Sequence, residues 1–137
     1  MNRIIKNRVR KIFSFAESLG TKPDAIIIKN GIEGQLDSTF FYLSGIRSGL
    51  FEGCSIIAYP SGSISVLTSK LEEQSALETS DIEVITFENE SEYKKLLNKK
   101  LMKIKILGIN YGEITLGNYL WIKKNFRGIK LMNVSKP

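Results

Sequence analysis

Lys22-Pro23-Asp24-Ala25-Ile26-Ile27-Ile28 is the stretch that decides the architecture of this chain. Its first three residues are turn chemistry, because proline sets its own φ and aspartate bonds the backbone just ahead of it. From Ala25 to Ile28 no polar residue intervenes. A strand with one wet face alternates apolar and polar side chains, whereas an unbroken run rich in β-branched residues suits a strand covered on both faces. A central strand over 25–28 follows.

Working outward, Ile5, Val9, Ile12, Phe13 and Ala16 recur at helical spacing with basic residues between them, so 5–16 packs inward as a helix that stops at Gly20. Residues 30–36, with Gly31 and Gly34, read as a loop. Asp37 and Ser38 are good N-caps for a short helix over 40–43 before Gly45. Segments 52–59 and 63–68 flank Pro60-Ser61-Gly62, a hairpin in which Gly62 takes the positive φ of a tight turn. Ser69 then caps a helix over 70–78 that Leu71, Ser75 and Leu77 make weakly amphipathic, and 82–87 alternates as a strand. A helix over 90–102 presents Tyr93, Leu96, Leu97 and Leu101, and a strand covers 104–109. A helix over 115–126 carries Leu116, Tyr119, Leu120 and Ile122, and a strand over 129–134 closes the sheet. Helices interspersed with strands, one hairpin among them, define an α/β fold: a mixed sheet of about six strands with helices on both faces.

At 137 residues and 42% hydrophobic content, residues 1–137 are expected to form a single domain. Cys54 is the only cysteine, so no intramolecular disulfide can form; it reads as a small core residue, and the compartment as cytoplasmic. The basic residues within 1–19 interrupt any signal-peptide core, and no apolar run approaches the roughly 20 residues of a membrane helix. Lys and Arg number 20 against 14 Asp and Glu, a net charge of +6 concentrated in the first helix, in 94–105 and around 123–130. Phosphate binding uses such clusters, but Lys supplies most of the charge here and solvated helix faces account for it, so neither nucleic acid nor a membrane is expected as a partner.

The chain contains no histidine, which closes imidazole-dependent triads and histidine-ligated zinc sites to it. Neither Gly-x-Gly-x-x-Gly nor Gly-x-x-x-x-Gly-Lys-[Ser/Thr] occurs among the 11 glycines. The Glu72-Glu73 pair and Glu88, Glu90 and Glu92 are acidic clusters, but the latter sit where a helix begins and offset its dipole. No catalytic or metal-ligating residue and no cofactor is expected in this chain.

Asp37-Ser38-Thr39-Phe40-Phe41-Tyr42-Leu43-Ser44-Gly45 resembles the Asp-x-Asn-Phe-x-Tyr-Leu-Thr-Gly segment of the N-terminal domains of Xaa-Pro aminopeptidases, prolidases and creatinases. Residues 24–28 resemble that family's first strand, Pro60-Ser61-Gly62 its hairpin turn, Leu71-Glu72 with Ala76 the segment after it, and 104–111 and 131–135 its last strands. Ser38-Thr39 departs from the asparagine many members carry nearby. The resemblance implies a creatinase/prolidase N-terminal-like fold and a non-catalytic domain that supports homodimer formation. It also implies that the domain gates the access of short proline-containing peptides to a C-terminal catalytic domain, where two divalent metals, manganese or cobalt, are held outside this chain. Asp37, Tyr42 and Arg47 are the residues it places at the substrate rim or interdomain contact: Asp37 as a cap, Tyr42 with a polar tip on an apolar body, Arg47 on a loop reaching substrate or a facing carboxylate. A stand-alone peptide- or protein-binding module of the same fold is the alternative, and a basic nucleic-acid binder the third. At least two of the rings of Phe40, Phe41 and Tyr42 should be largely buried.

Overall fold

The computed structural model describes residues 3–20, 22–31, 37–46, 51–77 and 82–135. Along the chain come α1 (Arg3–Ser18), β1 (Ala25–Lys29), α2 (Ser38–Ser44), β2 (Ser55–Ala58), β3 (Ile64–Ser69), a 3₁₀ turn (Lys70–Glu72), α3 (Glu73–Leu77), β4 (Glu83–Phe87), α4 (Glu90–Lys100), β5 (Ile106–Ile109), α5 (Leu116–Asn125) and β6 (Lys130–Asn133). The six strands form one sheet in the order β4-β3-β2-β1-β5-β6. Pairings β1–β2 and β2–β3 are antiparallel, and the other three are parallel. The sheet is mixed, as expected.

β1 lies centrally, and its alternate side chains feed two cores. Ile26 and Ile28 join Ile5, Val9 and Phe13 of α1 and Phe40 and Leu43 of α2 on one face. Ala25 and Ile27 join Tyr93 and Leu97 of α4 and Ile122 of α5 on the other. Burying each isoleucine contributes about 1.5–3 kcal/mol, so this strand alone carries a large part of the core. Asp24 sets its register: the backbone N–H groups of Lys105 and Ile106 donate to its Oδ2 at 3.0 and 2.9 Å, which fastens the start of β5 beside the start of β1.

The hairpin turns at Gly62, whose φ of +98° is the conformation a Cβ would oppose. The strand expected over 52–59 is shorter because Glu52 and Gly53 are turn, with Gly53 at φ +69°. In two helices some of the apolar residues named from the sequence face water. In the 70–78 segment, Leu71 (89% exposed) and Leu77 point to water while Ala76 is buried, and Ser69 makes no side-chain cap bond. The first turn there is 3₁₀, so a 3.6-residue projection assigns the wrong phase. In α5, Leu116 (71% exposed) and Leu120 lie outside; Ile122 is buried, and Tyr119 and Trp121 pack partly on the core. Apolar residues occur on most sides of α5, and the larger rings take the inward positions. Of the aromatic trio, Phe40 is fully buried, Phe41 partly, and Tyr42 is 43% exposed.

Gly108 of β5 is where the sheet tolerates least. A Cβ there would lie 2.8 Å from Cγ1 of Val134 and 2.9 Å from Cγ1 of Ile26, both stiff, buried side chains. Gly108→Ala should lower unfolding free energy by about 1–3 kcal/mol in urea denaturation. Gly128→Ala, with nothing within 4 Å of its Cβ, should be nearly neutral. Equal midpoints for the two variants would contradict this packing.

Candidate functional site

The carboxyl ends of the parallel strands β1, β5 and β6 open onto a groove of about 830 Å³, the position where open α/β sheets place their ligand crevices. Ile12 and Phe15 of α1 and Val134 form its apolar walls, and Ser38, Thr39, Asn110 and Glu113 its polar floor. Tyr42 completes the rim.

Asp37 is the N-cap of α2, as its sequence context predicts: its Oδ1 accepts the Thr39 N–H at 2.9 Å. It is 1% exposed, which a capping aspartate does not require. Asn110, the first residue after β5, donates through Nδ2 to both Asp37 oxygens at 3.2 Å. Asn30, the first residue after β1, accepts the Asp37 N–H on its Oδ1 at 2.8 Å and donates from Nδ2 to the Phe51 carbonyl at 3.1 Å. Phe51 is held at φ +53°, an uncommon conformation for a non-glycine residue, with its ring 5.3 Å from that of Phe40. Glu113 closes the site from the other side. Its two carboxylate oxygens accept from the Ser38 N–H (2.7 Å) and the Ser38 hydroxyl (2.9 Å), so the Ser38 position has a local role in clamping α2 to the turn after β5.

Burial raises the Asp37 carboxyl from 3.8 to about 6; the Thr39 N–H opposes the rise and the neighbouring Glu113 carboxylate adds to it. Tyr42 stands under the Arg8 guanidinium, 4.7 Å from its ring centroid, and Arg8 also donates to the Tyr42 carbonyl at 2.8 Å. α1 thus holds the rim residue in place. Arg47 lies outside the described residues. Tyr42 lines the groove and faces water, whereas Asp37 is buried behind the floor residues that it caps and bonds and does not line the groove itself.

Asn30, Asn110 and Glu113 were not singled out by their sequence context. The two asparagines do leave a signal, since each is the first residue after an isoleucine-rich strand, Ala25–Lys29 and Ile106–Ile109. Glu113 leaves none, because nothing local links it to a serine 75 residues away. Among the described residues no group of three or more His, Cys, Asp or Glu side chains converges on a metal position. The polar groups of the floor satisfy one another, an arrangement that shapes a surface.

The sequence profile of the Creatinase/Prolidase N-terminal domain matches residues 8–137. No curated protein matches the chain significantly. Similar solved structures include the X-Pro aminopeptidase of Thermotoga maritima (TM-score 0.72, 19% identity, covering 91% of this chain and 33% of that one). The prolidase of Pyrococcus horikoshii OT3 superposes with TM-score 0.67 at 26% identity, over 93% of this chain and 32% of that one. The Creatinase/Prolidase N-terminal domain of an X-Pro dipeptidase from Streptococcus pyogenes superposes with TM-score 0.69 at 13% identity, over 93% of each chain. The chain thus spans about a third of the length of the Thermotoga and Pyrococcus proteins.

The raised Asp37 value has a consequence with a definite sign. Between pH 3.8 and about 6 the folded chain holds a proton that the unfolded chain has released, so the contribution of Asp37 to stability falls as pH rises through that window and levels off above it. Glu83, lowered by Lys100 and Ser65, acts in the opposite sense but only below its ordinary 4.5. Between pH 4.5 and 7 the urea midpoint should therefore decline, and Asp37→Asn, which keeps a capping oxygen, should flatten that decline. An unchanged slope in Asp37→Asn would contradict the assignment. Asp37→Ala should cost about 0.5–2 kcal/mol through the lost cap.

Proposed function

The chain belongs to the Creatinase/Prolidase N-terminal domain family, and from that membership we propose that residues 1–137 form the single, non-catalytic N-terminal domain of a Xaa-Pro dipeptidase or aminopeptidase. In this reading the domain supports homodimer formation and gates the passage of short proline-containing peptides to a metal-dependent catalytic domain. The two divalent metals, manganese or cobalt, belong to that catalytic domain. The observation that carries the proposal is the profile match over nearly the whole chain. The groove at the carboxyl ends of β1, β5 and β6, with a rim built from Tyr42 and an internally satisfied polar floor, supports it as a surface for docking.

The gating contact we assign to the segment from Asp37 to Arg47. Asp37 sets the start of α2 and Tyr42 offers a ring and hydroxyl at the rim, and in this reading Arg47 contacts substrate or a facing carboxylate through its planar guanidinium. With Cys54 as its only cysteine, the protein needs no oxidising compartment, in keeping with a cytoplasmic peptidase. No helix among the described residues is long and apolar enough to cross a membrane. A stand-alone module that binds a peptide or protein in the same groove is the second reading, in keeping with the apolar walls of Ile12, Phe15 and Val134.

Highly purified chain should cleave no dipeptide ending in proline, with or without manganese. In the two-domain protein, Arg47→Ala should lower kcat/KM on Xaa-Pro peptides roughly tenfold, with the melting temperature unchanged. Metal-dependent cleavage by the isolated chain, or full activity in the Arg47 variant, would remove the corresponding part of the proposal.

A further inference from the structure

Asn30-Gly31 is the one asparagine–glycine step in the chain, and it stands directly after β1. Glycine has no Cβ to shield its nitrogen or restrict its backbone, so an asparagine before it is the side-chain amide most prone to close onto the main chain. In the folded chain the reacting groups are held apart. Asn30 is 1% exposed, its Nδ2 donates to the Phe51 carbonyl at 3.1 Å and its Oδ1 accepts the Asp37 N–H at 2.8 Å. The main chain on either side of the Gly31 nitrogen is held too. Asn118 Nδ2 donates to the Asn30 carbonyl at 3.3 Å, and the Gly31 carbonyl accepts the Gly53 N–H at 3.0 Å.

We propose that Asn30 is a latent deamidation site whose chemistry the fold suppresses, and that its conversion in an opened chain prevents the native junction from forming again. In the opened chain the Gly31 nitrogen, its proton lost to hydroxide, attacks Asn30 Cγ and forms a C–N bond. The Cγ–Nδ2 bond breaks, and the nitrogen leaves with the electron pair, takes a proton from water and departs as ammonia. Water then adds to one of the two carbonyls of the resulting cyclic imide. The ring opens to aspartate or isoaspartate, and no oxidant or reductant takes part.

Suppression follows from the bonds. To reach the Gly31 nitrogen, the Asn30 side chain must turn back on its own peptide and give up Phe51 and Asp37 together. Those partners belong to the turn before β2 and to the cap of α2, so the reaction waits for that junction to open. The product cannot restore it. An oxygen replaces the Nδ2 donor and meets the Phe51 carbonyl, acceptor against acceptor, and a carboxylate takes a buried place where neither bonded partner is a cation. Isoaspartate also adds a methylene to the main chain between the Asn118 and Gly53 contacts and β1.

The intact chain is kept in mildly alkaline buffer, native in one arm and unfolded in guanidinium chloride in the other, and deamidation is followed by peptide mass spectrometry. Asn30 should convert roughly tenfold or more slowly in the native arm. In the unfolded arm it should react ahead of Asn110 and Asn118, each followed by tyrosine, and Gly31→Ala should slow it. Equal Asn30 rates in the two arms overturn the proposal, as does an unfolded chain in which Asn30 lags the other two or ignores Gly31→Ala. On dilution from denaturant, chains converted at Asn30 should stay protease-sensitive while unconverted chains in the same sample regain resistance. Converted chains that regain full resistance overturn the second half of the proposal.

Discussion

β1 has no free side: β2 pairs with one edge, β5 with the other, and both faces are buried. Whatever follows it must leave a fully enclosed strand through its carboxyl end, where every polar group needs a partner. Asn30 supplies the solution. Buried at 1% exposure, it donates its N–H to the Cys54 carbonyl at 2.9 Å and its amide to Phe51, accepts the Asp37 N–H, and receives the Asn118 amide on its own carbonyl at 3.3 Å. One side chain and its peptide unit thus join the turn before β2, the cap of α2 and the first turn of α5. Loss of any of these bonds would leave a buried polar group unsatisfied, at about 1–3 kcal/mol each.

The groove inherits its shape from that junction. α2 starts where Asn30 and Asn110 fix Asp37, and Glu113 holds its first N–H, so the helix that carries Tyr42 is tied to two parallel strands. Arg8 ties the same helix to α1. The rim is therefore built on rigid elements, which would keep the proposed docking or gating contact in constant geometry. Of the basic residues, Lys11 lines the groove and Arg8 braces its rim, while those of α4 and α5 lie away from it.

Most of the fold was legible because its signals are local and mutually consistent. The run Ala25-Ile26-Ile27-Ile28 marked the central strand, Pro60-Ser61-Gly62 the hairpin, Asp37 and Gly45 the two ends of α2. Helix faces were less legible where local geometry departs from a 3.6-residue repeat, as at Leu71, or where apolar residues surround the axis, as at Leu116 and Leu120. At the site, the cap was readable and the depth of its burial was not, since Asn110 and Glu113 reach Asp37 and Ser38 only through the parallel pairing of β1 with β5. Contacts between residues more than seventy positions apart depend on topology, and no spacing rule encodes them.

Family membership rests on the profile match, and the fold on the sheet order and its solved counterparts. The functional claim is that this chain works as one part of a longer peptidase. The most direct measurement is the size of the native polypeptide, detected in its source cells with an antibody raised against this chain. The account predicts a single species about three times the length of the 137-residue chain, as for the Thermotoga and Pyrococcus proteins of which this fold forms a third. A native species no longer than the chain itself would contradict it.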